Sequence, residues 1–173
     1  MKVIFGVMVL CTVKSYIIQA SPMIHKNVEL GESLPTNEDQ EITAFNGYIP
    51  TAGIGIHKYH NAQRQSWNDA RKTCLNEGGH LAVINSVAEE SLIIKYMNIT
   101  GNISVDQFWI GIHELFKKDE WISVKDERLD AIGYTHWMAG QPDGTPNEHC
   151  LTITPHGMND FVCDHPLYFV CEL

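Results

Sequence analysis

Residues 141–150 read Gln141-Pro142-Asp143-Gly144-Thr145-Pro146-Asn147-Glu148-His149-Cys150, and Met158-Asn159-Asp160, Cys163 and Cys171 follow. Glycines and prolines stand where a strand needs alternation, so the stretch from Ala139 to His149 is a loop. A structured loop is a favoured place for function. Its chemistry is rich in oxygen: Gln141, Asp143, Glu148, Asn159 and Asp160 offer carboxylates and amides. Calcium is a hard cation that takes about six to eight such oxygens. A bond between Cys150 and Cys163 would bring Glu148 near Asn159-Asp160 and contribute roughly 3 kcal/mol. Composition alone does not separate this from an ordinary polar loop. The order of the residues does.

Upstream, Ser66 to Glu77 reads as a helix. Ser66 with Asp69 forms a variant capping box, Trp67, Ala70, Cys74 and Leu75 recur at helical spacing, and Gly78-Gly79 ends it. His80 to Ile84 is a short strand. Ser86 and Glu89 form a second capping box, opening a helix that buries Leu92 or Ile93, Tyr96 and Met97. Strands are then predicted at Phe108–Ile112, Trp121–Val124, Tyr134–Trp137, Cys150–Thr154, Phe161–Cys163 and Leu167–Cys171. Helices first and antiparallel strands afterwards make an α+β organisation.

The N-terminal segment is different in kind. Residues 1–20 combine Lys2, the apolar run Val3–Leu10 and a small-residue site at Ala20, which reads as a secretory signal peptide. No run reaches the roughly 18 apolar residues of a membrane span. Residues 21–44 are polar and acidic and read as a flexible arm, and the domain runs over 45–173. The 173 residues carry 12 basic and 21 acidic side chains, net -9. Without Lys2 and Lys14 the net becomes -11, which excludes nucleic acid as a partner. Cys11 also leaves with the signal, so four of five cysteines remain: Cys74, Cys150, Cys163 and Cys171. An even number in a secreted chain implies two disulfides, with three possible pairings. Asn98-Ile99-Thr100 and Asn102-Ile103-Ser104 are sequons, making Asn98 and Asn102 glycosylation candidates.

The order Gln141-Pro142-Asp143, Asn147-Glu148-His149-Cys150, Met158-Asn159-Asp160, Cys163, Cys171 resembles the C-type lectin domain. So do Trp67 to Cys74 running into Gly78 to Ala82, and the strand Trp109-Ile110-Gly111-Ile112. The match covers roughly 47–173. Gly53 to His60 looks more particularly like insect haemolymph lipopolysaccharide-binding lectins. The resemblance implies two helices flanking small antiparallel β-sheets, with a long calcium-binding loop. It implies disulfides Cys74–Cys171 and Cys150–Cys163, and a cis bond before Pro142. It implies one Ca2+ and a sugar held together by Gln141, Asp143, Glu148, Asn159 and Asp160. In the family, Gln-Pro-Asp accompanies galactose-type sugars. Here Gly144 replaces the aromatic expected after the tripeptide, Met158 replaces a frequent tryptophan, and Lys118 and His149 stand where an auxiliary calcium site has acids.

The implied function is a secreted, calcium-dependent carbohydrate-binding protein. It would recognise microbial surface glycans such as lipopolysaccharide in innate immunity, with several copies assembled for avidity. The other reading is a calcium-independent protein-interaction module on the same fold. An enzyme is not expected: the nine histidines include no H-E-x-x-H, and no Ser or Cys has a nucleophile setting.

Overall fold

The computed structural model describes residues 46–99 and 107–173. Residues 1–20 and 21–44, read above as a signal peptide and an arm, and Asn102 lie outside the described residues.

Ser66 caps helix α1 (Trp67–Asn76), its Oγ accepting the Asp69 N–H at 3.3 Å. That satisfies a donor the first turn leaves open. Trp67, Ala70 and Cys74 face inward. Leu75, predicted with them, is 53% exposed, because it is turned roughly 100° from Cys74 around the helix.

Two unpredicted strands precede this helix: β1 (Ile49–Thr51) and β2 (Gly55–Gln65). The order of helices first and strands afterwards is therefore corrected. β2 escapes a period-2 reading because only His57 along it is fully buried. Tertiary pairing makes it a strand: it lies antiparallel to the C-terminal strand β8 (Leu167–Glu172).

Strand β3 (His80–Leu81) is shorter than the predicted His80–Ile84. The chain leaves the ladder at Ala82 to cross between β8 and β4 (Phe108–His113). There the Ala82 N–H donates to Val170 O at 2.9 Å, and Ala82 O accepts from Gly111 N at 2.8 Å. A Cβ on Gly111 would lie 2.3 Å from Leu81 O, so glycine is what admits this crossing.

Helix α2 (Val87–Ile99) buries Ile93 and Met97, while Tyr96 stacks on Tyr59 with centroids 3.9 Å apart. Ser86 Oγ accepts the Glu89 N–H at 3.2 Å. The reciprocal half of the second capping box does not form. The Glu89 carboxylate instead accepts from Asn85 N at 2.9 Å and meets His57 Nε2 at 2.8 Å.

Next come β5 (Ile122–Ser123) and a short helix α3 (Leu129–Ile132) that the sequence reading missed. Then come β6 (Glu148–Thr154) and β7 (Gly157–Val162), the latter stopping before Cys163. Tyr134–Trp137 is not a strand. Trp137 makes an isolated bridge to Met158, and the Tyr134 hydroxyl donates to Glu90 Oε2 at 2.6 Å.

The strands join in the order β1-β2-β8-β4-β6-β7, with β3 on β8 and β5 on β4. The strands connect into one sheet, in which the β4–β8 pair is parallel and the other pairs are antiparallel. The α+β class stands. One core cluster gathers Ile93, Met97, Ile110, Leu151 and Met158. The other gathers Tyr48, Trp67, Trp109, Phe169 and the Cys74–Cys171 sulfurs.

Candidate functional site

The β6–β7 hairpin sets the site. Leu151 pairs with Asp160 and Thr152 with Asn159, and a register shift separates Glu148 from Cys150 at the open end. The Cys150–Cys163 disulfide, 13 residues apart in sequence, clamps that end. Met158, fully buried, anchors the loop: its carbonyl accepts from Met138 N at 2.8 Å, and its own N–H donates to His136 O at 2.7 Å. Gln141 N then donates to Met138 O at 2.9 Å, and the Gln141–Pro142 bond is cis.

This anchoring brings Asp143 from the loop to Glu148 of β6 and Asp160 of β7. One carboxylate oxygen of each lies within 4.8 Å of the others. Asp143 is oriented locally. Its Oδ1 accepts from Thr145 N at 2.9 Å and from the Thr145 hydroxyl, while its own N–H donates to Gln141 Oε1 at 2.9 Å. Those bonds hold the Asp143 carboxyl below the usual carboxylate range. Thr145 was not among the predicted site residues. Its signal is the Asx-turn spacing, two residues after an aspartate. Asn159 is buried beside Asp160 in β7.

Asp160 is the decisive residue. It is 1% exposed, yet neither carboxylate oxygen accepts a hydrogen bond. A buried carboxylate without partners is costly. Burial pushes its carboxyl above the usual range, and the Asp143 charge adds to the rise. Backbone amides of Asp160, Gly144 and Asp143 offset part of this from outside hydrogen-bonding geometry. Glu148 is also raised, by burial first and then by Asp160 and Asp143. Three converging carboxylates, one buried and bare, fit a hard cation.

The other groupings of ligand-type residues lack this character. Beside His60 and Glu77, the Cys171 sulfur is committed to a disulfide. Beside His57, Glu89 holds two hydrogen bonds and Glu172 accepts from Val83 N at 3.2 Å. His149, standing where an auxiliary calcium site would have an acid, points Nδ1 to Glu114 Oε1 at 3.0 Å. Asn98 is exposed at the end of α2.

The sequence profile of the lectin C-type domain matches residues 63–173. The hemolymph lipopolysaccharide-binding protein of Periplaneta americana is 37% identical over 134 residues, covering 73% of this chain and 52% of that protein. Human C-type lectin domain family 10 member A is 32% identical over 114 residues, covering 62% of this chain and 33% of its own length. The chain thus spans about half and about a third of these relatives. Among solved structures, the mouse scavenger receptor C-type lectin carbohydrate-recognition domain aligns with a TM-score of 0.63 at 28% identity. That alignment covers 73% of this chain and 93% of the mouse domain.

Proposed function

The chain belongs to the C-type lectin family, whose domains bind carbohydrate and are not enzymes, and from that premise we propose a secreted, calcium-dependent receptor for microbial surface glycans. The observation that carries the reading is Asp160, buried among acids with both oxygens unpartnered.

Asp143, Glu148 and Asp160 would hold the ion, with Gln141 and Asn159 completing an oxygen shell. A calcium ion there supplies positive charge and open positions that two neighbouring sugar hydroxyls can take. Asp143 and Glu148 accept hydrogen bonds from those hydroxyls, and the amide nitrogens of Gln141 and Asn159 donate to them. Acid at 143 and amide at 141 set which hydroxyl pair is read, and in the family that order goes with galactose-type sugars. Thr145 and the Gln141 side-chain amide oxygen keep Asp143 in place before the sugar arrives.

The two disulfides support secretion, with residues 1–20 as signal, 21–44 as an acidic arm and 45–173 as the lectin domain. Asn98 is open to glycosylation. No helix among the described residues is long and apolar enough to cross a membrane. Without Lys2 and Lys14 the net charge of -9 becomes -11, which favours neutral sugars over phosphates as the contact. Binding at one exposed metal is weak, so several copies would be needed for avidity.

Calcium titration followed by thermal denaturation, then a glycan array with and without chelator, tests the proposal. Calcium should raise the melting temperature by linkage, and the array should lose its signal in chelator. A melting temperature indifferent to calcium, with chelator-resistant protein partners, would move the chain to the interaction-module reading.

A further inference from the structure

A cavity of about 370 Å3 lies beside the loop and ends at Pro142. That volume is within the range of small-ligand pockets, about 300–1,000 Å3. Two tryptophans form its wall. Trp121 and Trp137 meet edge to face, with centroids 5.6 Å apart and planes at 65°.

The four tryptophans of the chain divide into two classes. Trp67 donates its indole N–H to Ile110 O at 2.8 Å, and Trp109 donates to Gln65 O at 2.9 Å. Among the described residues, the indole N–H groups of Trp121 and Trp137 have no protein acceptor, and neither is sealed from solvent. A buried tryptophan satisfies its N–H within the protein. These two half-buried rings line one cavity, and their N–H donors are not committed within the protein.

The lining also carries polar side chains. Arg128 is held flat against Asp130, with Nε to Oδ1 at 3.1 Å and Nη2 to Oδ2 at 3.0 Å. Its Nη1 lies 3.6 Å from Glu120. Thr135 adds an exposed hydroxyl. Asp119 and Asp130 outnumber Arg128 around the cavity, so a phosphate or carboxylate would meet net repulsion. The occupant that fits is neutral, bears many hydroxyls and has an apolar face to lay on a ring. A sugar ring has those properties.

Position links the cavity to the carboxylates. Pro142 lines it, and the next residue, Asp143, belongs to the acidic cluster. We propose that this cavity is a second sugar subsite, which receives the residue next to the one held at the carboxylates. The protein would then select oligosaccharides over single sugars. This inference rests on the calcium-dependent sugar reading above.

Isothermal titration calorimetry in saturating calcium separates the two. The probes are methyl β-galactoside with a galactose-terminated trisaccharide, and methyl α-mannoside with a mannose trisaccharide. The proteins are the full chain, Arg128→Ala and Thr135→Ala, each checked for an unchanged melting temperature. The expected result is that one trisaccharide binds about tenfold more tightly than its monosaccharide. In both variants that ratio should fall toward one with monosaccharide affinity unchanged. Equal affinities for monosaccharide and trisaccharide, or variants that weaken both alike, would overturn the subsite and leave the metal-centred reading intact. No calcium-dependent binding of any probe would overturn both.

Discussion

Glu148, opposite Val162, and Asp160, opposite Leu151, are diagonal neighbours across the β6–β7 hairpin with carboxylate oxygens no more than 4.8 Å apart, and the Asp160 carboxylate accepts no hydrogen bond. Burial and neighbouring charge raise both carboxyls, so the ionised cluster costs stability at neutral pH. Asp160→Asn should therefore melt no lower than the native chain in chelator. In calcium the native chain should gain stability and the variant should not. Scanning calorimetry under both conditions checks this. A variant clearly less stable in chelator would mean that Asp160 has a stabilising partner within the protein.

The disulfides close loops of very different size. Replacing Cys150 and Cys163 by alanine opens a separation of 13 residues, and replacing Cys74 and Cys171 opens one of 97. Loop entropy gives losses of about 3 and about 4.7 kcal/mol respectively. Urea denaturation of the two double variants measures them, and a larger loss for the short loop would contradict the entropic account.

His57 and Glu89 form a fully buried pair, 2.8 Å apart, joining β2 to the start of α2. Glu89→Ala leaves both His57 Nε2 and the Asn85 N–H without their acceptor. Breaking such a pair costs about 3 kcal/mol. Glu89→Gln keeps an acceptor oxygen and should lose less. Chemical denaturation that ranks the two variants equally would count against the pair.

His113 lies between Trp67 and Phe116, with centroids at 5.0 and 5.1 Å, and its Nδ1 accepts the Leu115 N–H at 3.2 Å. Burial, then the Arg71 charge, holds its ring below the usual histidine range. The unfolded chain therefore takes up the proton first. The contribution is complete above about pH 6.5 and is lost as pH falls through the lower folded value. His113→Phe keeps an aromatic ring and removes the titration. Its melting temperature should drop less than the native chain's between pH 7 and pH 5, both in chelator.

Gly111→Ala would place a Cβ 2.3 Å from Leu81 O and 2.9 Å from Val124 Cγ2. Backbone cannot yield as a side-chain tip can, so the loss should be about 3 kcal/mol. A near-neutral denaturation midpoint would show that the β3–β4 crossing can open.

What could be read along the chain was local. Ser66 and Asp69 are three residues apart and make their cap within one turn. Gln141, Asp143 and Thr145 likewise bond within one loop, and their order is visible without a fold. Strand β2 was not legible, because its polar residues become a strand only through pairing with a partner about a hundred positions away. Along the chain Glu89 reads as a capping-box residue and Glu90 as an ordinary first-turn acid. They are buried because His57, Tyr134 and His136 arrive from elsewhere to bond them.

By itself, then, the sequence determined the α+β class, the main helices, the lectin-type order of site residues and the supply of carboxylates. Only the tertiary structure decided that Asp160 is bare and that Trp121 and Trp137, their N–H donors uncommitted, line one cavity. The reason is physical. A cap or an Asx turn is completed by neighbours in the chain. Burial, and the presence or absence of a hydrogen-bond partner, depend on groups that only the folded chain brings together.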